Sequence, residues 1–208
     1  MPHCASAGGI IAFPREYLRM QKKIDFDQMS FLIVDDNSHM RRLVRSLLHG
    51  FGSRQVFEAE DGAGGLEAVE TYGPDIMITD WAMPIFDGLE LVQMIRNPDS
   101  CRNAYIPIIM LTGHAEKQRV IQARDMGVTE FLAKPISAKA LYDRIYNIVM
   151  NPRPFIRSRS FFGPDRRRFI NPNYTGEERR KVVAPEDQWA IEETADVNQI
   201  DFDSIEVE

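Results

Sequence analysis

The stretch Met77-Ile78-Thr79-Asp80-Trp81-Ala82-Met83-Pro84 restricts this chain more than any other. Its first half is a short apolar run rich in β-branched residues, which reads as a buried strand. The run ends on a carboxylate, and Pro84, Asp87 and Gly88 keep the following segment out of helix. Asp80 therefore sits at a strand's carboxyl end. In an open α/β sheet ligands bind at that edge, so an acid placed there points to chemistry rather than packing. Asp80 is the candidate nucleophile.

The same arrangement recurs along the chain. Phe31-Leu32-Ile33-Val34 reads as a buried strand ending on Asp35-Asp36, and Asn37-Ser38 then supplies a helix cap. Gln55 to Ala59 reads as a short strand. Ile106 to Leu111 is another, with Pro107 near its entry, where a missing donor costs least, and Thr112-Gly113 at its end. Glu130 to Ala133 is the fifth, delivering Lys134-Pro135. Helices fill the gaps. In the first, Met40, Leu43, Val44, Leu47, Leu48 and Phe51 share one face at three-and-four spacing, while Arg41, Arg42 and Arg45 are expected to point to solvent. Gly50 and Gly52 end it. Asp61-Gly62 opens a helix containing Leu66 and Val69; Leu89, Val92 and Ile95 mark another, stopped near Asn97-Pro98. Val120, Ile121 and Ala123 lie on a helix running to Gly127, and Ser137 caps a last one carrying Leu141, Ile145 and Ile148. Five strands alternating with helices predict an α/β fold, a five-stranded parallel sheet with helices on both faces, because each parallel return needs a crossover. Right-handed crossovers leave few topologies.

Composition sets the limits around this core. With 208 residues, 44% of them hydrophobic, the chain has room for one full domain plus tails. The formal net charge of -6 argues against nucleic-acid binding by the protein as a whole. Its two cysteines, Cys4 in the weak N-terminal segment and Cys101 in a polar loop, fit a reducing cytoplasm and no disulfide framework. No zinc-ligand spacing occurs, and no apolar run is long enough to cross a bilayer. Residues 1–28 show no sustained periodicity and are expected to be a flexible extension, with Met20 and Met29 as later possible starts. The folded domain is expected over 29–150. Residues 151–208 change character: Arg153, Pro154, Arg157, Arg159, Pro164 and Arg166-Arg167-Arg168 come first, and every charge after Val182 is acidic. That segment is expected to be largely disordered. It carries a weak internal echo, Phe162-Gly163-Pro164-Asp165-Arg166-Arg167 against Thr175-Gly176-Glu177-Glu178-Arg179-Arg180.

All the distinctive polar residues thus fall at one edge: Asp35, Asp36, Asp80, Thr112 and Lys134. Read alone, Asp35-Asp36 is as well explained as an acid pair at a helix N-terminus. Together with Asp80 it makes a cleft of three carboxylates, which repel one another and call for a hard divalent cation; oxygen ligands with room for water suit magnesium. Thr112 offers a hydroxyl and Lys134 a point charge, the means to hold a phosphoryl group. An ionised aspartate attacking phosphorus forms an acyl phosphate that water can later cleave.

These motifs resemble the response-regulator receiver domains of the CheY-like type over about Met29 to Met150. The resemblance rests on Val34-Asp35-Asp36, on Asp80-Trp81 followed by Met83-Pro84 and Asp87-Gly88-Leu89-Glu90-Leu91, on Leu111-Thr112-Gly113 and on Lys134-Pro135. It implies a flavodoxin-like (βα)5 sheet of order 2-1-3-4-5. It implies that Asp80 accepts a phosphoryl group from a sensor histidine kinase or histidine phosphotransferase. Asp36, Asp80 and the backbone carbonyl of Ala82 would ligate Mg2+, with Asp35 acting through water. Lys134 would pair with Asp80 or its phosphate, Thr112 would turn toward the phosphoryl oxygen, and Phe131 takes the aromatic switch position. Such a domain is a signalling receiver that catalyses its own phosphorylation and dephosphorylation, not a metabolic enzyme. Phe131 has no hydroxyl, Gly113 stands where alanine is usual, and Ala82 and His114 flank the phosphoryl position.

The implied output is a switched protein contact. Alternatives are a phosphate sink and a phosphorylation-independent interaction module acting through its tail. For the tail itself, a solvated segment and a docking element both fit. Arg153 to Lys181, with Phe161, Phe162 and Tyr174, is expected to be a recognition segment whose contacts depend on the state of Asp80.

Overall fold

The computed structural model describes residues 24–113, 117–158, 161–167 and 181–183. The five expected strands are β1 (Ser30–Val34), β2 (Gln55–Ala59), β3 (Ile76–Asp80), β4 (Ile108–Thr112) and β5 (Glu130–Ala133). All neighbours pair in parallel, in the order β2-β1-β3-β4-β5. The helices between and after them are α1 (Ser38–Phe51), α2 (Gly62–Tyr72), α3 (Gly88–Ile95), α4 (Lys117–Asp125) and α5 (Ala138–Met150). Asn37, Asp61, Asp87 and Ser137 cap α1, α2, α3 and α5 with their side-chain oxygens, satisfying N–H groups that no helical turn reaches. At α3 the bond is reciprocal, with Glu90 accepting from the Asp87 N–H.

Strand alternation divides the core in two. Leu32, Val34, Met77, Ile108 and Met110 face one side with Val69, Leu91, Val92, Ile95 and Ala123. Phe31, Ile33, Ile78, Ile109 and Leu111 face the other with Val44, Leu48, Leu141 and Ile145. The central strands β1, β3 and β4 are buried on both faces, which is why they read as unbroken apolar runs.

Several expectations are corrected. Strand β4 starts at Ile108, leaving Pro107 just outside, where its carbonyl accepts from Met77 N at 3.0 Å. Leu43 is 41% exposed, so the buried stripe of α1 is narrower than its pattern suggests. Cys101 lies in the loop before β4, as expected, but its side chain is buried. Residues 24–28 belong to the folded unit: Ile24 and Phe26 are buried against the α1–α5 face, and Phe26 lies 5.4 Å from Phe51 and 5.8 Å from Tyr142 between ring centroids.

The largest difference follows α5. Where a disordered tail is expected, Phe155–Ser158 (β6), Phe161–Pro164 (β7) and Lys181–Val183 (β8) form a three-stranded antiparallel sheet, ordered β7-β6-β8. It lies against the amino ends of β4 and β5. Tyr105 packs on Phe155 at 4.9 Å and on Phe162 at 5.1 Å, and Ile156 is buried. At Gly163 a Cβ would meet Gly127 Cα at 3.1 Å, so backbone rests on backbone there. Arg96 closes the joint from below. It is buried, donates through Nε to Gly127 O at 3.0 Å and lies over the Phe155 ring at 5.1 Å. Burial pushes its guanidinium down to about 9, which leaves it cationic at neutral pH.

Candidate functional site

The carboxyl edge of the sheet assembles the expected residues because β1, β3, β4 and β5 lie side by side and in register. Asp80 ends β3 and pairs in register with Leu111, one residue before Thr112, the last residue of β4. Lys134 follows β5, and its N–H donates to Thr112 O at 2.8 Å. Asp35 and Asp36 follow β1 directly. Carboxylate oxygens of Asp35, Asp36 and Asp80 all lie within 4.8 Å of one another. Asp35 has no exposed surface and Asp80 is 7% exposed, while Asp36 opens to solvent.

Among the described residues, one side-chain cation pairs with these carboxylates. Lys134 Nζ is 3.0 Å from Asp80 Oδ1 and 3.3 Å from Asp35 Oδ2. The remaining bonds fix the acids. Asp80 Oδ1 accepts from Trp81 N at 2.8 Å, and Asp35 Oδ1 accepts from Asn37 N at 2.8 Å. Burial pushes the Asp35 carboxyl above the usual carboxylate range, against the lowering effects of the Asn37 N–H and Lys134. Thr112 is buried at 4% exposure, and Phe131 is half-buried against the α2–α3–α4 face. Ala82 is exposed in the β3–α3 loop. His114 lies outside the described residues.

Two residues that shape this edge were not singled out for that role in the sequence. Gly88, expected only to break the loop, begins α3 against the end of β3: a Cβ there would lie 2.0 Å from Asp80 O, and its N–H donates to Trp81 O at 3.0 Å. Only glycine permits that approach. Arg41, expected on the solvated face of α1, is instead 7% exposed. Its Nη1 donates to Asp35 O at 2.8 Å and Asp36 O at 3.4 Å, its Nε pairs with Glu58 at 3.4 Å, and its Nη2 pairs with Glu60. The guanidinium thus ties the main chain of the two adjacent acids to β2. One arginine among three at helical positions that are solvent-facing by pattern gave no such signal; the acids Glu58 on the next strand and Glu60 just past it were the available clue.

The edge presents three carboxylates, a hydroxyl and an ammonium in one opening, on a fold that carries them at strand termini. The response regulator receiver domain family matches residues 31–146. The chain is 35% identical over 120 residues to the chemotaxis protein CheY of Pseudomonas aeruginosa, covering 58% of this chain and 95% of that one. Among solved structures, a putative response regulator from Chloroflexus aurantiacus aligns with a TM-score of 0.55 at 29% identity, covering 59% of this chain and 98% of the other. The chemotaxis protein CheY4 of Vibrio cholerae aligns with a TM-score of 0.54 at 28% identity, covering 58% and 98%. This chain belongs to the response regulator receiver domain family and is a CheY-like response regulator of two-component signalling. The matched residues stop before β6, so the three-stranded sheet lies outside the shared domain.

Proposed function

We propose that the chain is a phosphoacceptor switch: Asp80 takes a phosphoryl group from a histidine kinase or histidine phosphotransferase, and the phosphorylated form changes its protein contacts. The observation that carries this reading is the placement of Lys134 Nζ between Asp80 and Asp35, inside a group of three carboxylates whose oxygens lie within 4.8 Å. Asp80 Oδ1 is engaged by Trp81 N and Lys134, which leaves Oδ2 as the attacking oxygen. That oxygen forms the bond to phosphorus as the bond to the donor's nitrogen breaks, giving an aspartyl phosphate. Lys134 then meets the added negative charge, and the Thr112 hydroxyl supplies a donor to a phosphoryl oxygen.

The donor set fits Mg2+. Asp36, Asp80 and the main-chain carbonyl of Ala82 are hard oxygen donors, with buried Asp35 behind them and exposed Asp36 on the solvent side, where metal-bound water has room. Bound there, the ion would neutralise the acids and the incoming phosphoryl oxygens. Asp35, Asp36 and Asp80 outnumber Lys134, so anion entry without a divalent ion is disfavoured. Incubation with Mg2+ and acetyl phosphate is expected to add the mass of one phosphoryl group, lost in Asp80→Asn and on chelation. An Asp80→Asn variant that still gains the mass would end the assignment.

A further inference from the structure

The end of the sheet away from the acidic cleft holds a cavity that the phospho-switch does not use. It has a volume of ≈ 320 Å³ and lies in the seam between the receiver and the appended sheet. Tyr105 and Ile148 line it from the receiver, Phe155, Pro164 and Val183 from the sheet. The volume is at the small end of the range for organic-ligand pockets, and its walls are mainly apolar.

Its polar rim is unbalanced. Glu130, Asn147, Asn151 and Arg153 line this chamber and also an adjoining recess of ≈ 200 Å³, to which Arg144 contributes. Glu130 is 8% exposed and pairs with Arg153 at 3.3 Å and Arg144 at 3.5 Å. Two guanidiniums therefore share one carboxylate. Arg144 Nε is buried and has no hydrogen-bond partner among the described residues. A buried donor without an acceptor is costly, and a guanidinium fork is matched best by a planar carboxylate.

We propose that this seam binds a small organic monocarboxylate, with an aromatic or branched apolar body in the chamber and its carboxylate beside Arg144 and Arg153. The charge argues for a monoanion. One negative charge completes the pairing of two arginines with Glu130, whereas a dianionic phosphate would face Glu130 with charge to spare. The apolar body touches both the receiver and the sheet, so occupancy also holds β6 and β8 to α5 and the amino end of β5.

The probe is hydrocinnamate, titrated into the full chain and followed by backbone amide resonances, with the neutral hydrocinnamamide as its control. Hydrocinnamate is expected to give saturable shifts at Thr129, Ile148, Phe155 and Val183, and to slow hydrogen exchange in β6. The amide should bind at least about tenfold more weakly. Val183→Trp, whose indole fills the chamber, should abolish binding, and Arg153→Met should weaken it about tenfold. Absence of saturable shifts at these residues, equal binding of acid and amide, or undiminished binding in both variants would each overturn the proposal. The acid-against-amide comparison uses the unaltered chain and stands even if a substitution loosens the seam.

Discussion

The two ends of the central sheet hold opposite charge surpluses made from similar parts. At the carboxyl end Asp35 and Asp80 share Lys134, with the Asp36 carboxylate beside them; at the amino end Arg144 and Arg153 share Glu130. The first end is built from strand termini, so sheet register alone brings its residues together. The second joins Glu130 of β5 and Arg144 of α5 to Arg153, which the segment leaving α5 brings back onto the receiver. An acid surplus invites a cation and transient phosphoryl chemistry; a guanidinium surplus over apolar walls invites an organic anion. Each end can be broken without the other, and that separation is what substitution tests.

The largest effect is expected at Gly88. A methyl group there would lie 2.0 Å from Asp80 O, which cannot yield without moving the end of β3. Gly88→Ala should cost about 3 kcal/mol of stability through overpacking and slow Asp80 phosphorylation as well. Denaturant titration and acetyl phosphate labelling read the two effects; a variant normal in both would show that α3 shifts freely.

Lys134→Ala comes next and separates two roles that lie on one atom. Loss of the ammonium should slow phosphorylation by about a hundredfold, as for removal of one group that meets developing charge. Magnesium should bind more tightly, because Asp35 and Asp80 lose the ammonium that competes with it for them. Trp81, next to Asp80, serves as the fluorescence probe for the metal titration. Weaker metal binding together with slow phosphorylation would mean that Lys134 holds the cleft's shape rather than its charge.

Arg41→Lys is expected to act on the same cleft at one remove. Lysine cannot hold the Asp35 and Asp36 carbonyls while reaching Glu58 and Glu60, so the acid-bearing turn loosens. Magnesium affinity should fall by about tenfold, the usual scale for groups that orient metal ligands. Unchanged affinity with lower stability would make Arg41 purely structural. Neither Lys134 nor Arg41 substitution should alter hydrogen exchange in β6.

The same contrast accounts for what the sequence made readable. Asp35, Asp36, Asp80, Thr112 and Lys134 were legible because each follows or ends a short apolar run, and a parallel sheet gathers such ends by rule. Periodicity misplaced Arg41 because it assigns a side to the Cβ, while a long guanidinium stem can turn back under its own helix. It overcounted Leu43 for the related reason that three-and-four spacing marks a wider stripe than this contact buries. The appended sheet was illegible. Its strands span only three or four residues each, β8 is far from β6 in sequence, and arginine and proline dominate their flanks. Phe155, Phe161 and Phe162 were the signal, since an arginine-rich tail has no need of closely spaced aromatics. Arg153 and Arg166, expected as part of a recognition segment, make contacts with Glu130 and Asp125 of the receiver itself.

The smallest expected effect is a response to acid that differs in sign between the two ends. Asp35 has a carboxyl raised by burial, so its protonation favours the folded state and its contribution to stability fades as pH rises through the folded value. Asp125 behaves in the opposite way. Burial pushes its carboxyl up, but hydrogen bonds from Arg166 at 2.9 Å and Arg124 at 3.2 Å, with their charges, together outweigh it and hold the carboxyl below the usual range. Its contribution is complete above the unfolded value of about 4 and is lost as pH falls through the folded one. The side chain is 40% exposed, so the ion pair contributes under about 1 kcal/mol. Arg166 also lies 4.4 Å over the Phe161 ring, a contact that acid leaves intact. Lowering the pH should therefore loosen β7 modestly without releasing it, while Asp125→Asn should start from the loosened level and lose that pH dependence. Amide protection factors in β7, followed from neutral pH downward in both proteins, read the difference. Parallel curves for the two would show that the seam is held by Phe161, Phe162 and Tyr105 alone, and that its acid response comes from elsewhere.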